Sequence, residues 1–301
     1  MKLILIVLLI AAIAFGLFTY GPFAARRAEA APPPKPLAAP LGDADFKRFL
    51  DWREAGALPA INLAPAGPAP REPGGNRYGG PVWLPEDEGW PTGRDGKPLS
   101  FLAQVDFSRL PPLEDYPATG VLQFFIARDD LYGADFDYPE RGDFKVIWRE
   151  TLDGPGRLHD SKPLGEGGID DYSPLYGKTV VAGIALTGHP DRHLPDVTHW
   201  TFDRDLKDLL DRDPTNRIYD YVDAERERQG DAHHVGGHPG FTQSDYRGIE
   251  RYQDVDRVLL QLWSDNGSIM WGDSGQGQFT IRRADLLKRD FSKVLYQWDC
   301  Y

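Results

Sequence analysis

The sequence of 301 residues contains a single cysteine, Cys300. One thiol excludes an intrachain disulfide, a four-cysteine zinc site and a redox pair of cysteines. The compartment stays open on this evidence, because many proteins on either side of a membrane fold without disulfides.

Positive charge is also scarce. The chain has 34 Lys and Arg residues against 46 Asp and Glu residues, which gives a net charge of −12. A surface that binds along a phosphate backbone needs an excess of positive charge, so we expect no nucleic-acid partner. An acidic surface suits a basic protein partner instead.

Complete phosphate-binding loops are missing as well. The glycine-rich stretch at residues 165–168 is not followed by the Lys-Ser or Lys-Thr of a P-loop, and no Gly-x-Gly-x-x-Gly motif follows a strand. We therefore predict no nucleotide binding through these motifs and no cofactor.

Residues 272–275 read Gly-Asp-Ser-Gly, which is similar to the nucleophile segment of chymotrypsin-like proteases. A serine nucleophile needs a general base and an orienting carboxylate, and the chain has no Ala-Ala-His-Cys element to supply the base. We predict that Ser274 is not a nucleophile. The segment is typical of a tight turn between strands, in which Asp273 accepts backbone hydrogen bonds and Trp271 fills the space beside it.

Six of the seven histidines fall in two Gly/Pro-rich clusters: His233, His234 and His238, and His189, His193 and His199. Imidazoles bind zinc when they converge. Neither cluster has the helical i, i+4 spacing of a His-Glu-x-x-His site, and exposed loop histidines are the alternative. We predict no metal site, and keep His233, His234 and His238 as weak candidates for one.

The N-terminus is long and apolar. Residues 3–20 carry no charge and end at Gly21-Pro22. As a helix they would span roughly 27 Å, close to a hydrocarbon core of about 30 Å. We predict an N-terminal transmembrane helix within residues 1–25, a single-pass anchor whose orientation stays open because the flanking positive charges balance. The alternative is a signal peptide cleaved after Ala30.

A Pro/Ala-rich linker over residues 26–42 follows the apolar segment, and residues 43–301 are predicted to form the globular domain. The composition is 41% hydrophobic and 12% aromatic, which is too rich in core-forming residues for a disordered chain. The domain is expected to begin with a short helix from Asp43 to about Glu54 that ends at Gly56.

Beyond Gly75 the chain has short apolar segments separated by Gly, Pro and Asp turns. The predicted strands are Leu99–Val105, Val121–Ile126, Lys145–Trp148, Thr179–Leu186, Val258–Trp263 and Gly277–Ile281. The predicted helices are Thr201–Asp211, Tyr219–Arg228 and Arg283–Asp290. This mixture predicts an α+β fold with antiparallel or mixed sheets.

One pattern occurs twice, in the order Gly-Gly, Leu-x-Gln, Gln-Phe-x-Ile. Its period is too long for a solenoid, whose units run about 20–50 residues. It predicts an internal duplication into two pseudo-equivalent halves. Gly120–Leu131 and Gly275–Leu286 share seven of twelve aligned residues, and upstream of them lie the pairs Gln104 and Gln261, Gly79 and Gly236, and Gly80 and Gly237.

Several co-linear blocks resemble the YwqG-like family, a bacterial domain of unknown function. The resemblance covers roughly residues 57–301 and implies an α+β fold with internal duplication, but no established reaction. His238 departs from it, because an aromatic such as Tyr is more usual there. The blocks are Gly79–Pro85, Gly89–Pro91, Asp95–Asp106, Gly120–Ile126, Leu131–Gly133, Gly236–Pro239, Leu259–Leu262, Ile269–Gly275 and Val294–Tyr301.

A pseudo-two-fold axis would bring repeated polar and aromatic side chains together, and a cleft between halves is a usual place for a ligand. The alternative is structural, with glutamines bonded to the backbone and tryptophans in the core. No catalytic residue is predicted. The candidate ligand-binding or partner-binding residues are Trp83, Trp90, Gln104, Gln123, Gln261, Trp271, Asp273 and Gln278.

Three functions stay open. The leading prediction is a membrane-tethered, non-catalytic protein-recognition module, such as an immunity-type domain that binds a basic toxin, since no triad, ligand set or phosphate loop is complete. The second is a hydrolase or other enzyme that uses carboxylates such as Asp273 and Asp299 in a cleft between the halves. The third is a structural envelope protein. The sequence favours the non-enzymatic functions.

Overall fold

A computed structural model of the chain describes residues 39–161, 172–229, 233–265 and 267–301. The predicted transmembrane helix over residues 3–20 and most of the predicted linker lie outside these ranges. Within them, no helix combines the length and the apolar character needed to cross a bilayer.

The described ranges contain twelve strands and five α-helices. The strands are β1 Leu58–Pro68, β2 Arg77–Tyr78, β3 Val82–Pro85, β4 Ser100–Asp106, β5 Val121–Ile126, β6 Phe144–Arg149, β7 Gly156–His159, β8 Ile184–His193, β9 His233–Gly236, β10 Arg257–Trp263, β11 Gln276–Ile281 and β12 Leu295–Asp299. The helices are α1 Asp43–Ala55, α2 Gly177–Ala182, α3 Trp200–Leu210, α4 Arg217–Gln229 and α5 Arg283–Leu287.

Ten strands form one sheet in the order β12-β11-β10-β9-β1-β8-β2-β4-β5-β6, and β3 pairs with β7 in a second sheet. Every one of these pairings is antiparallel. The predicted α+β class with antiparallel sheets is therefore confirmed.

The long strands β1 and β8 pair at the centre of the sheet, from Leu58 opposite His193 to Pro68 opposite Ile184. The other neighbour of β1 is β9, which pairs only with residues 60–63. Proline cannot donate a hydrogen bond to the neighbouring strand. The prolines at the C-terminal end of β1 lie beyond the residues that pair with β9, so this edge of β1 needs no donor for β9 there. This explains how a Pro-rich segment forms a central strand.

The prediction of a strand over Thr179–Leu186 is wrong in its first half. Residues up to Ala182 form α2, and β8 begins only at Ile184. Gly183 separates the two elements with φ of 67°, and a Cβ there would lie 2.8 Å from the carbonyl oxygen of Gly79. The β-branched residues before it favour a strand locally, but the glycine ends a short helix at this position.

Most other predicted elements are present with small changes of length. The strands predicted around residues 121–126 and 258–263 are β5 and β10, and the last helix ends at Leu287 instead of Asp290. After β5 the repeated segment continues as a turn, whereas after β11 it continues as α5. The two copies therefore share their strand and differ in the residues that follow it.

Helices α1, α3 and α4 pack together through a cluster of apolar side chains that is separate from the main core of the sheet: Phe49, Phe202, Leu206, Leu209, Ile218 and Val222. This packing holds one face of α1 and α4 beside the ends of the central strands. A cleft lies between these helices and the sheet.

Candidate functional site

The cleft is bounded by β1, β8, β9 and β10 on the sheet side and by α1 and α4 on the helix side. Its volume is about 160 Å³, and its lining is mostly polar. A cavity of this size holds a few waters or one side chain of a binding partner. Among the described lining residues there is no Ser, Thr, Cys or Lys, so the cleft offers no such nucleophile.

Four histidines line the cleft, and they come from both clusters seen in the sequence. The rings of His193 and His234 contact each other with centroids 4.5 Å apart, and those of His199 and His238 are 4.9 Å apart. The sequence did not support this convergence, because the two clusters are separated by helices α3 and α4.

His233, the third weak metal candidate, lies on the opposite face of β9. Its Nδ1 accepts a hydrogen bond from the main-chain N–H of Trp263 at 3.0 Å, and its ring packs against Tyr78. Adjacent residues of a strand point to opposite faces, so His233 and His234 are separated. Across the described part of the chain, no three His, Cys, Asp or Glu side chains are arranged to hold a metal ion.

A chain of hydrogen bonds fixes the tautomer of His193. The Asn62 amide donates to the carboxylate of Asp191, and the Asn62 Oδ1 atom therefore accepts from His193 Nε2 at 2.8 Å. Since Nε2 carries the proton in the neutral ring, Nδ1 keeps a lone pair.

His238 is fixed in the same tautomer. Its Nε2 donates to the carbonyl oxygen of Gly56 at 2.7 Å, next to the end of α1. Its Nδ1 atom is buried and has no hydrogen-bond partner among the described residues. A buried acceptor without a partner costs free energy, so a donor that reached this atom would be stabilising.

Burial keeps the imidazoles of His193, His199 and His238 uncharged at neutral pH. Desolvation lowers the pKa of His193 and of His199 to about 4 and that of His238 to about 3. His238 lowers the pKa of His193 further, and His199 does the same for His238. These three histidines therefore act as neutral hydrogen-bonding groups and do not repel a cation.

The charged residues of the helix side are paired. Arg53 of α1 is 4% exposed, bonds to Glu225 and donates from Nε to the carbonyl oxygen of Pro195 at 2.9 Å. Arg226 of α4 pairs with Asp196 at 2.5 Å. The Nη1 atom of Arg53 is also buried without a partner among the described residues.

Asp191 differs from the other lining carboxylates because it forms no ion pair with a described residue. It lies exposed at the mouth of the cleft and accepts hydrogen bonds from the Asn62 amide and from the main-chain N–H of Arg192. Its negative charge is therefore open to a cation that approaches from solvent.

Of the eight site residues predicted from the sequence, only Gln261 lines the cleft. Its Oε1 accepts from the main-chain N–H of Gly240 at 2.9 Å, and its Nε2 donates to Gln276 at 2.8 Å. Both polar atoms are thus used inside the protein, and Gln261 shapes the floor of the cleft.

The side chains of Gln104 and Gln123 hold the backbone. Gln104 donates to the carbonyl oxygens of Pro73 and Gly75, at 3.0 and 2.9 Å, and Gln123 donates to that of Trp83 at 2.9 Å. Both side chains are fully buried. These contacts favour the structural interpretation of Gln104 and Gln123.

The remaining predicted residues lie apart from the cleft. Gln278 is buried, with its Oε1 unpartnered among the described residues, and Trp271 is fully buried in the main core. Trp83 is buried in β3, whereas Trp90 packs on Phe125 and lines a separate, wide depression.

The Gly-Asp-Ser-Gly segment forms the predicted turn, with φ of 50° at Gly272 and 57° at Ser274. Asp273 is exposed, and its carboxylate accepts no hydrogen bond from a described residue. Its carbonyl oxygen instead accepts from the N–H of Tyr301 at 3.2 Å. The expectation that the Asp273 side chain caps the turn is therefore wrong, because the main chain closes it.

Asp299, the second carboxylate of the predicted hydrolase, is buried. It accepts hydrogen bonds from the main-chain N–H groups of Thr242 and Gln243, at 2.9 and 3.0 Å, and from Gln276. Burial raises its pKa. Neither Asp273 nor Asp299 lines the cleft.

The lining residues that were not among the sequence candidates include Arg53, Asn62, Glu225 and Arg226. They lie on three elements and match no motif. The amphipathic pattern of α1 and α4 predicts the helices, but it does not indicate which polar residue faces the sheet.

A family described as "Domain of unknown function (DUF1963)" matches residues 76–300. The match contains β2 to β12 and ends before the last residue, whereas α1 and β1 precede it. No curated protein matches the chain.

Proposed function

Because the chain belongs to the DUF1963 family, whose description includes no activity, we propose a function from the cleft itself: a non-catalytic recognition domain for a basic protein partner. A Lys or Arg side chain of the partner enters the cleft. The immunity-type role, in which the partner is a basic toxin, is one form of this function.

The observation that carries the proposal is that one cleft contains both the buried, unpartnered Nδ1 of His238 and the Asp191 carboxylate, which forms no ion pair with a described residue. Both groups accept hydrogen bonds from a cation. The Arg53 charge is compensated by Glu225. The ring of Trp263 in the lining offers a face for the apolar stem or the charge of the entering side chain.

The overall charge of −12 supports the same partner, because it attracts a basic protein over a distance of about a Debye length. The proposal does not extend to chemistry on the partner. Asp273 and Asp299 lie outside the cleft, and no observation favours the hydrolase or the structural envelope protein over recognition.

Calorimetric titration of the full chain in detergent tests this function. The probes are the acetylated, amidated peptides Gly-Lys-Gly and Gly-Arg-Gly, with the norleucine peptide as the uncharged control. We expect saturable binding of the basic peptides that Asp191→Asn weakens. The matched control Asp130→Asn removes an exposed carboxylate outside the cleft and should leave binding unchanged. Equal binding of the norleucine peptide would contradict the proposal.

We propose in addition that residues 3–20 anchor the protein by a single membrane pass, with the side of the globular domain left open. The uncharged run of residues supports this. The full chain should stay in the pellet after carbonate washing. Recovery of a soluble protein that begins at Ala31 would establish cleavage and overturn the anchor.

We also infer an internal duplication, and with it the finer YwqG-like assignment. Outward from the central β1–β8 pair, the sheet continues as β9-β10-β11-β12 on one side and β2-β4-β5-β6 on the other. Gln104 lies opposite Gln123 as Gln261 lies opposite Gln278, and a register shift occurs near residue 102 and near residue 259. These correspondences support a common origin of the halves.

A further inference from the structure

A second cavity, of about 260 Å³, lies between the segment at residues 70–75 and strands β2 and β8. Arg77 of β2 lines it and is only 1% exposed. A buried guanidinium is costly unless a negative group compensates its charge. The surroundings of Arg77 therefore decide whether this cavity can bind a ligand.

The guanidinium of Arg77 is held by main-chain oxygens alone. Nη1 donates to Pro70 at 3.2 Å, and Nη2 donates to Glu72 and Pro73 at 3.0 and 2.8 Å. Nε is buried and has no partner among the described residues. Carbonyl dipoles orient the group but leave its unit charge in place.

No described carboxylate forms an ion pair with Arg77. Arg109 also lines the cavity and pairs with Glu72 at 2.6 Å and with Asp106 at 3.6 Å, and both carboxylates also act on the charge of Arg77 without contacting it. Burial lowers the pKa of Arg77 to about 10, so the side chain is still charged at neutral pH. Arg77 is therefore a buried cation that keeps one N–H donor without a partner among the described residues.

We propose that this cavity binds a small oxyanion, a carboxylate or a phosphate, on Arg77. The anion accepts the free Nε–H and adds a negative charge beside the buried guanidinium. The volume accommodates such an anion together with several waters, since a water takes about 30 Å³. This site is distinct from the histidine cleft and does not depend on the function proposed for that cleft.

Ala185 gives a direct test, because it lies opposite Arg77 in the β2–β8 ladder and lines the same cavity. The side chains of two residues that lie opposite each other in a ladder point to the same face of the sheet. Ala185→Glu places a tethered carboxylate beside the guanidinium, and Ala185→Gln has nearly the same shape without the charge. Thr187 is exposed and lines the same cavity. If the protein does not fold with a substitution at residue 185, the same Glu and Gln pair is made at Thr187.

The melting temperature of the full chain is measured against acetate and against inorganic phosphate, with chloride at equal ionic strength as the reference. We expect at least one oxyanion to raise the melting temperature in a saturable way. The Ala185→Gln variant should show the same rise. The Ala185→Glu variant should show a rise at least about tenfold smaller, because the tethered carboxylate competes at high effective concentration.

Two results would overturn the proposal. One is a wild-type response to both oxyanions that is no larger than the response to chloride. The other is equal behaviour of the Glu and Gln variants, which would show that Arg77 only holds the segment at residues 70–75. A difference between acetate and phosphate identifies which oxyanion the site prefers.

Discussion

His193 and His234 contact each other edge to face, with ring centroids 4.5 Å apart, although β1 lies between their strands in the sheet. Asn62 of that intervening strand bonds to His193 and so holds the imidazole in the cleft. The cleft is therefore assembled from side chains that are distant in sequence, and its neutral histidines are the basis of the first prediction.

Stability should fall as the pH is lowered from 6.5 toward 4. The pKa values of His193 and His199 are lowered to about 4 by burial, so in this range the unfolded chain binds more protons than the folded chain. Each of these histidines changes the free energy of unfolding by up to about 1.4 kcal/mol per pH unit in this range. Its full contribution to stability is present above pH 6.5. Chemical denaturation at a series of pH values measures the slope.

The variant His193→Gln should make that slope shallower, and the control His189→Gln should not. Both histidines lie on β8, but His189 is exposed whereas His193 is largely buried in the cleft wall. Equal slopes for the two variants would show that burial of His193 does not control the pH dependence.

Trp271→Ala should lower the free energy of unfolding by about 3–5 kcal/mol, because it empties a large volume in the core. A Cβ at Gly277 would lie 2.3 Å from its ring, which shows how closely the strand approaches it. Asp273→Asn should change the free energy by less than about 0.5 kcal/mol, since its carboxylate is exposed. Denaturant titration of both variants checks this, and a large loss for Asp273→Asn would restore its predicted capping role.

The two glutamines at equivalent positions of the repeat should respond differently to leucine. Gln123→Leu leaves the Trp83 carbonyl oxygen without its donor and should destabilise by about 1–3 kcal/mol. Gln278→Leu removes an Oε1 atom that has no partner in the described chain, so its cost should be smaller. Thermal unfolding of the pair measures the difference, and a more damaging Gln278→Leu would contradict the hydrogen-bond account.

Local patterns predicted the strands that carry the repeat. The segment at residues 121–126 was predicted with its observed limits because an apolar run is bounded by turn residues. Strand β1 was missed because Pro and Gly disfavour a strand locally, and pairing with β8 overrides that preference. Local patterns do not contain this long-range contribution.

The site was less predictable than the fold. Gln261 and the histidines were noticed as residues, but their convergence depends on β1 lying between β8 and β9. Arg53 enters the cleft only because α1 packs on α3 and α4 through apolar side chains. Its role cannot be read from neighbouring residues in the sequence, since the groups it contacts lie near residues 195 and 225.

The most direct test of the recognition function is the ¹⁵N NMR signal of His238 Nδ1 in the full chain. When the acetylated, amidated Gly-Lys-Gly peptide is added, this signal should move from the position of an unbonded lone pair toward that of a hydrogen-bonded acceptor. The norleucine peptide should not move it, and Asp191→Asn should reduce the change. An unmoved Nδ1 signal at saturating lysine peptide would contradict the assignment of the cleft as the site for a basic side chain.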